Sequence, residues 1–280
     1  MELGVNIFLT DQTISPQQLA RELEDRGLTY LVLPEHTHIP VSRRTPYPMG
    51  DPLPPEYART LDPFVALTAA AGVTERLRLA TGICLVAQHD PIVLAKAVAS
   101  LDLVSGGRVT FGIGYGWNIE EMEDHGVDPK RRRAIVREKT LAMQRLWADD
   151  EASFEGEYVR FEPTWSWPKP VQRPRPPVII GGQATPTVFR HVVEYGDGWM
   201  PIGGGIKEHL PELRRLAEEA GRDPDTIQVM VTAARPDPGP LGHFAELGVT
   251  AAVLPLPSAP ADVVVPLLDR YAALLPAARV

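Results

Sequence analysis

Eight short apolar runs recur along the chain, each followed by a stretch with helical periodicity, and no other feature constrains the fold as much. The runs occupy residues 3–9, 30–36, 77–86, 109–116, 177–182, 198–204, 226–234 and 250–257. The helical stretches occupy 15–27, 62–72, 90–107, 129–148, 185–195, 206–220, 239–247 and 260–275. Several helices carry their start signal in plain view: Ser15-Pro16, Asp62-Pro63 and Asp90-Pro91 each put a capping side chain before a first-turn proline. The runs are continuously apolar rather than alternating, as parallel strands buried on both faces require. Eight such units in 280 residues fit one α/β domain, a closed (β/α)8 TIM barrel spanning residues 1–280. Periodicity does not show closure, so an open doubly wound sheet is the alternative. Two insertions exceed what a barrel needs, residues 37–61 after strand 2 and 150–176 after strand 4. The second reads as a hairpin, FEGEYVRF, followed by a proline-rich excursion, and the insertion carries Phe161, Trp165 and Trp167. Long loops in compact domains are mostly functional or disordered, and both are expected to cover the site.

Charge and composition exclude other classes. A net charge of −8 provides no basic face for nucleic acid. The one basic run, Lys130 to Arg133, reads as a solvated helix start or as a patch for an anionic ligand tail. The single cysteine, Cys84, allows no intrachain disulfide and reads as a small buried apolar residue. No apolar stretch approaches the roughly 20 residues of a membrane helix. Glu2, Asn6 and Asp11 interrupt the first run, so no secretory signal is read, and a cytoplasmic location is expected.

Barrel chemistry sits at the C-terminal strand ends. There the chain places Glu35, His36 and His38 after strand 2, and Gly82, Ile83 and Cys84 after strand 3. After strand 4 come Gly114, Gly116, Trp117, Asn118 and Glu121, then Gly181, Gly182 and Gln183 after strand 5, and Trp199 in strand 6. GRVTFGIGYGWN has Gly112, Gly114 and Gly116 at alternate positions, which is not the G-x-G-x-x-G of a dinucleotide site. Gly112 is expected to pack inside the barrel, with Gly114 and Gly116 nearer a ligand. Gly181-Gly182 precedes a helix start, where backbone N–H groups attract phosphate; a plain turn is the other reading. The near-neutral pKa of histidine suits His36 to proton exchange; a structural histidine is the other reading. His36 and His38 with Glu35 are too close on one loop to close a metal site, and no metal is expected.

YLVLPEHTHIP, LRLATGICLV, HDPIVLAKAVASLDLVSGGRVTFGIGYGWNIEE and VIIGGQATPTVFRHVVEYGDGWMP, in that order, resemble the bacterial luciferase-like superfamily. More narrowly they resemble its branch that uses the deazaflavin coenzyme F420. The resemblance covers residues 1–205, and the remainder completes the barrel. It implies a cis peptide at Gly82-Ile83 that buttresses the cofactor ring, and a cofactor phosphate near Gly116-Trp117 and Gly181-Gly182. It implies cofactor contacts from Glu35, His36, Gly82, Ile83, Cys84, Gly114, Gly116, Trp117, Asn118, Gly181, Gly182 and Gln183. His36 is the implied catalytic residue, with His38, Trp165 and Trp199 as substrate contacts. Sugar-phosphate dehydrogenases of that branch carry Asp where this chain has Glu35 and a catalytic Glu where it has Trp117, and Lys207 lies slightly late for their phosphate lysine. A less charged substrate is therefore expected, with Trp117 and Trp165 favouring an apolar or planar group. The resulting expectation is an F420-dependent oxidoreductase, a homodimer by analogy. The alternatives are a monooxygenase using reduced FMN and oxygen, and a non-catalytic flavin- or deazaflavin-binding barrel. An isomerase or aldolase barrel would want a strand-end carboxylate or Schiff-base lysine, and neither is well placed.

Overall fold

The computed structural model describes residues 1–278. In chain order the strands are β1 (Glu2–Asn6), β2 (Tyr30–Leu33), β3 (Arg78–Thr81), β4 (Val109–Ile113), β5 (Ala152–Glu155), β6 (Arg160–Thr164), β7 (Val178–Gly181), β8 (Gly198–Met200), β9 (Gln228–Val231) and β10 (Ala251–Pro255). Among the described residues eight of them close into a parallel barrel, and β5 and β6 form a separate antiparallel hairpin. Closure runs through β1 and β10, with Glu2 opposite Ala251 and Asn6 opposite Pro255. β4 pairs directly with β7, Phe111 opposite Val178, so the hairpin is an insertion between neighbours. The open-sheet alternative is thereby eliminated.

The continuous apolar runs have a simple cause. Tyr30, Val32, Ala80, Ile179, Met200, Met230, Ala251 and Val253 fill the lumen. Alternate residues such as Leu31, Leu79, Phe111, Ile180 and Val231 face the helices, and all are buried. With both faces dry, the period of two is invisible in the sequence.

The helices are α1 (Pro16–Asp25), α2 (Pro63–Ala71), α3 (Pro91–Val104), α4 (Ile119–Asp124), α5 (Arg132–Ala148), α6 (Pro186–Tyr195), α7 (Ile206–Glu219), α8 (Pro238–Glu246) and α9 (Ala261–Ala272). Ser15 Oγ accepts from Gln18 N–H at 3.2 Å, Asp62 Oδ1 from Val65 N–H at 2.9 Å and Asp90 Oδ1 from Ile92 and Val93 N–H at 2.9 Å. Each cap occupies otherwise orphaned donors ahead of a proline, as the sequence signal requires. No helix among the described residues is long and apolar enough to cross a membrane.

The two insertions go to different places. Residues 37–61 lie over the C-terminal strand ends, tied down by Thr10 pairing with Thr60 and by Leu61 N–H donating to Leu9 O at 2.8 Å. The second insertion lies on the barrel's flank, contrary to its expected role as a cover. Glu138 on α5 accepts from the N–H groups of Glu157, Tyr158 and Val159 at 3.0, 2.5 and 2.6 Å, which seats the hairpin beside that helix. Lys169 then reaches the carbonyls of Leu146 and Asp149 at the C-terminal end of α5. That end faces away from the strand C-termini, because the helices run antiparallel to the strands. Trp165 is 77% exposed on this outer flank and does not line the opening.

Gly112 is needed by packing. A Cβ there would stand 2.0 Å from the Thr81 carbonyl oxygen and 2.9 Å from Met200 Cε. A backbone oxygen held in a barrel cannot step aside. Gly112→Ala should destabilise the fold by about 1–3 kcal/mol, checked by denaturant unfolding. A loss below about 0.5 kcal/mol, ordinary for an innocuous surface change, would refute the tight β3–β4 contact.

Candidate active site

β3 stops at Thr81, and a cis peptide joins Gly82 to Ile83, as the resemblance implied. The chain then rejoins β4: Cys84 N–H donates to Gly112 O at 2.8 Å, and Gly114 N–H to Cys84 O at 3.1 Å. A Cβ on Gly114 would lie 2.6 Å from Ile83 Cδ1, and one on Gly181 would lie 2.6 Å from Ile83 Cγ2. These two glycines form a collar around one half-buried side chain, Ile83. Gly116 is glycine for another reason, its φ of +75°, which other residues rarely adopt. The alternate glycines of GRVTFGIGYGWN thus answer three separate demands: a carbonyl, an isoleucine and a left-handed turn.

Behind the bulge lies a buried trio, Glu35, Cys84 and His89. Glu35 Oε2 accepts from Leu85 N–H at 2.6 Å and Oε1 from His89 Nε2–H at 2.8 Å. Burial pushes the Glu35 carboxyl up, but the His89 hydrogen bond and charge, with Leu85 N–H, outweigh it and hold the group below its ordinary range. Burial likewise works against the charge on His89, and Glu35 reverses that, raising its pKa. Burial, then the Glu35 charge, pushes the Cys84 thiol well up, so it stays protonated. Ligand atoms of the three lie within 4.8 Å of one another. Both Glu35 oxygens are already engaged, however, so the trio reads as a brace for the bulge. Glu35 and Cys84, expected beside the cofactor, instead lie in this brace behind the bulge.

His36 faces the other way. Its Nδ1 lies 2.8 Å from Glu121 Oε2, with side-chain exposures of 7% and 1%. With the Glu121 carboxylate as acceptor, Nδ1 carries the hydrogen and Nε2 is left free. Glu121 is delivered by α4, which follows Asn118. The same short helix holds the first insertion. Glu120 accepts from Arg44 N–H at 2.8 Å and Thr45 Oγ1 at 2.6 Å, and the Thr45 hydroxyl, ahead of the Arg44 contacts, lowers its pKa to about 2. His38 Nε2 pairs with Asp124 at 3.0 Å. His38, expected to touch substrate, is therefore a rim contact between loop and helix.

The insertion so held brings Tyr57, with Tyr47 behind it, to His36 opposite Trp117. Tyr57 lies 5.2 Å and Trp117 5.9 Å from the imidazole, centroid to centroid, and the Tyr47 and Tyr57 hydroxyls are 3.0 Å apart. Burial, then the Tyr47 hydroxyl, pushes the Tyr57 phenol far above its ordinary value, so it carries its proton at neutral pH. Beside them Asn118 is 1% exposed, and neither its Oδ1 nor its Nδ2 finds a partner among the described residues; Glu121 Oε1 is equally alone. A buried amide without partners is costly, and this one leaves both a donor and an acceptor unspent.

On the far side of the opening, Gly182 and Gln183 lead into α6, capped by Thr185. Trp199, expected as a substrate contact, is 1% exposed and packs against Phe189; its Nε1–H holds Gly182 O at 2.9 Å. It fixes the glycine pair from behind. Tyr115 bonds His191 Nδ1 at 2.7 Å, with Arg133 of the basic run 5.7 Å from its ring. Glu121, Tyr47, Tyr57 and His89 received no role from the sequence. The only available signal for the tyrosines was their position in an insertion at the catalytic end.

The sequence pattern of the family described as luciferase-like monooxygenase matches residues 15–235. The uncharacterized protein Rv0953c of Mycobacterium tuberculosis is 44% identical, over 98% of this chain and 99% of its own. The F420-dependent hydroxymycolic acid dehydrogenase of the same organism is 26% identical, over 79% of this chain and 57% of its own. The solved monooxygenase RslO1 from Streptomyces bottropensis superposes with a TM-score of 0.81 at 22% identity, over 99% of both chains, which establishes the shared fold.

Proposed function

The chain belongs to the luciferase-like monooxygenase family, and on that footing we propose that it is an oxidoreductase moving a hydride between coenzyme F420 and a small organic molecule. The observation that carries the reading is the buried His36–Glu121 pair beside the unpartnered Asn118 amide. Asn118 offers a donor and an acceptor together, the complement of a flavin-type imide edge. The F420-dependent relative favours the deazaflavin. Gly116, Gly182 and the start of α6 suit its phosphate.

Bound deazaflavin supplies two-electron hydride chemistry. The chain supplies the rest. Ile83, held by its glycine collar, would support the bound ring. Asn118 would hold its polar edge. His36 Nε2 donates or accepts the proton that accompanies the hydride, while Glu121 fixes the tautomer and stabilises the imidazolium form. Tyr47, Tyr57 and Trp117 exclude water from that nitrogen.

The test is a titration of the purified protein with F420 and, separately, FMN, followed by tryptophan fluorescence, since Trp117 lies in the site. Saturable quenching by F420 alone is expected. Preference for FMN would replace this reading with an oxygen-using monooxygenase, the chemistry that RslO1 is named for. Quenching by neither would remove the oxidoreductase reading.

A further inference from the structure

We infer that residues 37–61 form the substrate wall, and that this wall selects an uncharged, ring-bearing carbonyl compound or its alcohol over any charged analogue. The inference rests on the oxidoreductase reading above for the chemistry, and on geometry for the selectivity.

Tyr47, Tyr57 and Trp117 stand around His36 as mutually tilted rings. Their centroids are separated by 5.2 Å (Tyr47–Tyr57), 5.8 Å (Tyr47–Trp117) and 6.3 Å (Tyr57–Trp117), and Phe8 backs Tyr57 at 4.4 Å. Edge-to-face rings at such distances offer faces and edges to another ring. A cage of this kind would also suit a quaternary ammonium ion. Here that occupant is disfavoured, because the Arg43 guanidinium already lies 5.8 Å from the Trp117 centroid.

An anion fares no better. The arginines of this loop are already partnered, Arg43 with Asp51, Arg44 with Glu120 and Glu123, and Arg59 with Asp11, and His38 already hydrogen-bonds Asp124. Glu56 adds an uncompensated negative charge close to Tyr57. A phosphate or carboxylate at the wall would be desolvated without a counter-charge. What remains is polar recognition by hydroxyls. Two phenols sharing one hydrogen bond keep one O–H free to donate to a substrate oxygen. With reduced deazaflavin as the reductant, the carbonyl carbon takes the hydride and its oxygen takes the proton from His36 Nε2. Oxidation of the alcohol returns both.

The experiment uses the full chain saturated with oxidised F420, so that bound ketone cannot react, and reads binding by saturation-transfer NMR. Acetophenone, phenylglyoxylate and benzyltrimethylammonium present the same ring as neutral, anionic and cationic probes. Acetophenone should bind at least about tenfold more tightly than either ion, a difference of roughly 1.4 kcal/mol. Tyr57→Ala should weaken acetophenone by roughly tenfold, and Tyr57→Phe, which keeps the ring, by only a few-fold. The inference is overturned if either ion binds as well as acetophenone, if acetophenone does not bind, or if Tyr57→Ala leaves its affinity unchanged in a folded protein. Should F420 itself not bind, the same titration on the chain alone separates the two readings. Ion discrimination would then uphold the wall while the F420 assignment falls.

Discussion

His36→Ala lowers kcat by roughly 10²- to 10⁴-fold, the range lost with a general acid or base, while the affinity for cofactor changes by less than about tenfold. The asymmetry follows from the geometry. Nδ1 is engaged with Glu121, so the imidazole presents a single free nitrogen, and that nitrogen handles the proton. The residues assigned to the ring and phosphate (Ile83, Asn118, Gly116 and Gly182) are untouched by the substitution. A companion variant separates chemistry from packing. Glu121→Gln keeps an acceptor opposite Nδ1 but removes the charge that stabilises the imidazolium. Its kcat should fall between those of the wild type and His36→Ala while its affinity for cofactor stays within a few-fold of the wild type. Stopped-flow oxidation or reduction of F420, with a parallel fluorescence titration, reads both quantities. Equal losses of kcat and affinity in His36→Ala would make His36 a cofactor contact and remove its role in proton transfer.

The sequence showed the barrel and part of the site, for identifiable reasons. Parallel strands dry on both faces write themselves as apolar runs, and capping side chains before prolines write helix starts. The runs extend beyond the hydrogen-bonded strands, as at residues 77–86 against Arg78–Thr81 in β3, because the strand-end bulge is buried too. Glycine demand at 112, 114 and 116 was visible; its three causes were not, since each depends on an atom brought in from elsewhere. The cis peptide came only through family resemblance. α4 escaped notice because six residues with four acids display no apolar period. Its partners are remote: His36 and Glu121 are 85 positions apart, and Arg44 and Glu120 are 76 apart. Glu35 misled in the opposite way. Its place beside His36 suggested a shared role, yet adjacent residues on an extended segment point to opposite sides, and Glu35 points inward to His89. Trp165 misled because an exposed aromatic in a long loop resembles a cover. What carries that loop down the flank is Lys169, a cation caught by two carbonyls, a contact that no local pattern encodes.

Glu35→Ala should cost about 3–5 kcal/mol, the penalty for removing one member of a buried ion pair. For a domain of this size that is a fall in Tm of roughly 5–9 °C. The carboxylate is 2% exposed and His89 23% exposed, so solvent screens the pair little. Its removal leaves Leu85 N–H without an acceptor and His89 without a counter-charge. The pH dependence identifies the pair as the source. Glu35 has a folded pKa below its ordinary 4.5, so its contribution is present above that value and is lost as pH falls through the folded one. His89 has a folded pKa above its ordinary 6.5, so its contribution is complete below that value and is lost as pH rises through the folded one. The Tm gap between wild type and Glu35→Ala should therefore be widest between pH 4.5 and 6.5 and should narrow on either side. Thermal unfolding followed by circular dichroism across that range measures it. A gap that narrows only on the acid side and persists undiminished as pH rises well above 6.5 would assign the effect to the Leu85 hydrogen bond and dismiss the ion pair. The same variant reports on the site, because Glu35 and Lys139, which holds the Ala87 and His89 carbonyls at 2.8 and 2.6 Å, together fix the segment that presents Ile83. Below its lowered Tm, Glu35→Ala should still bind F420 more weakly than the wild type, since an isoleucine released from its brace no longer supports the ring.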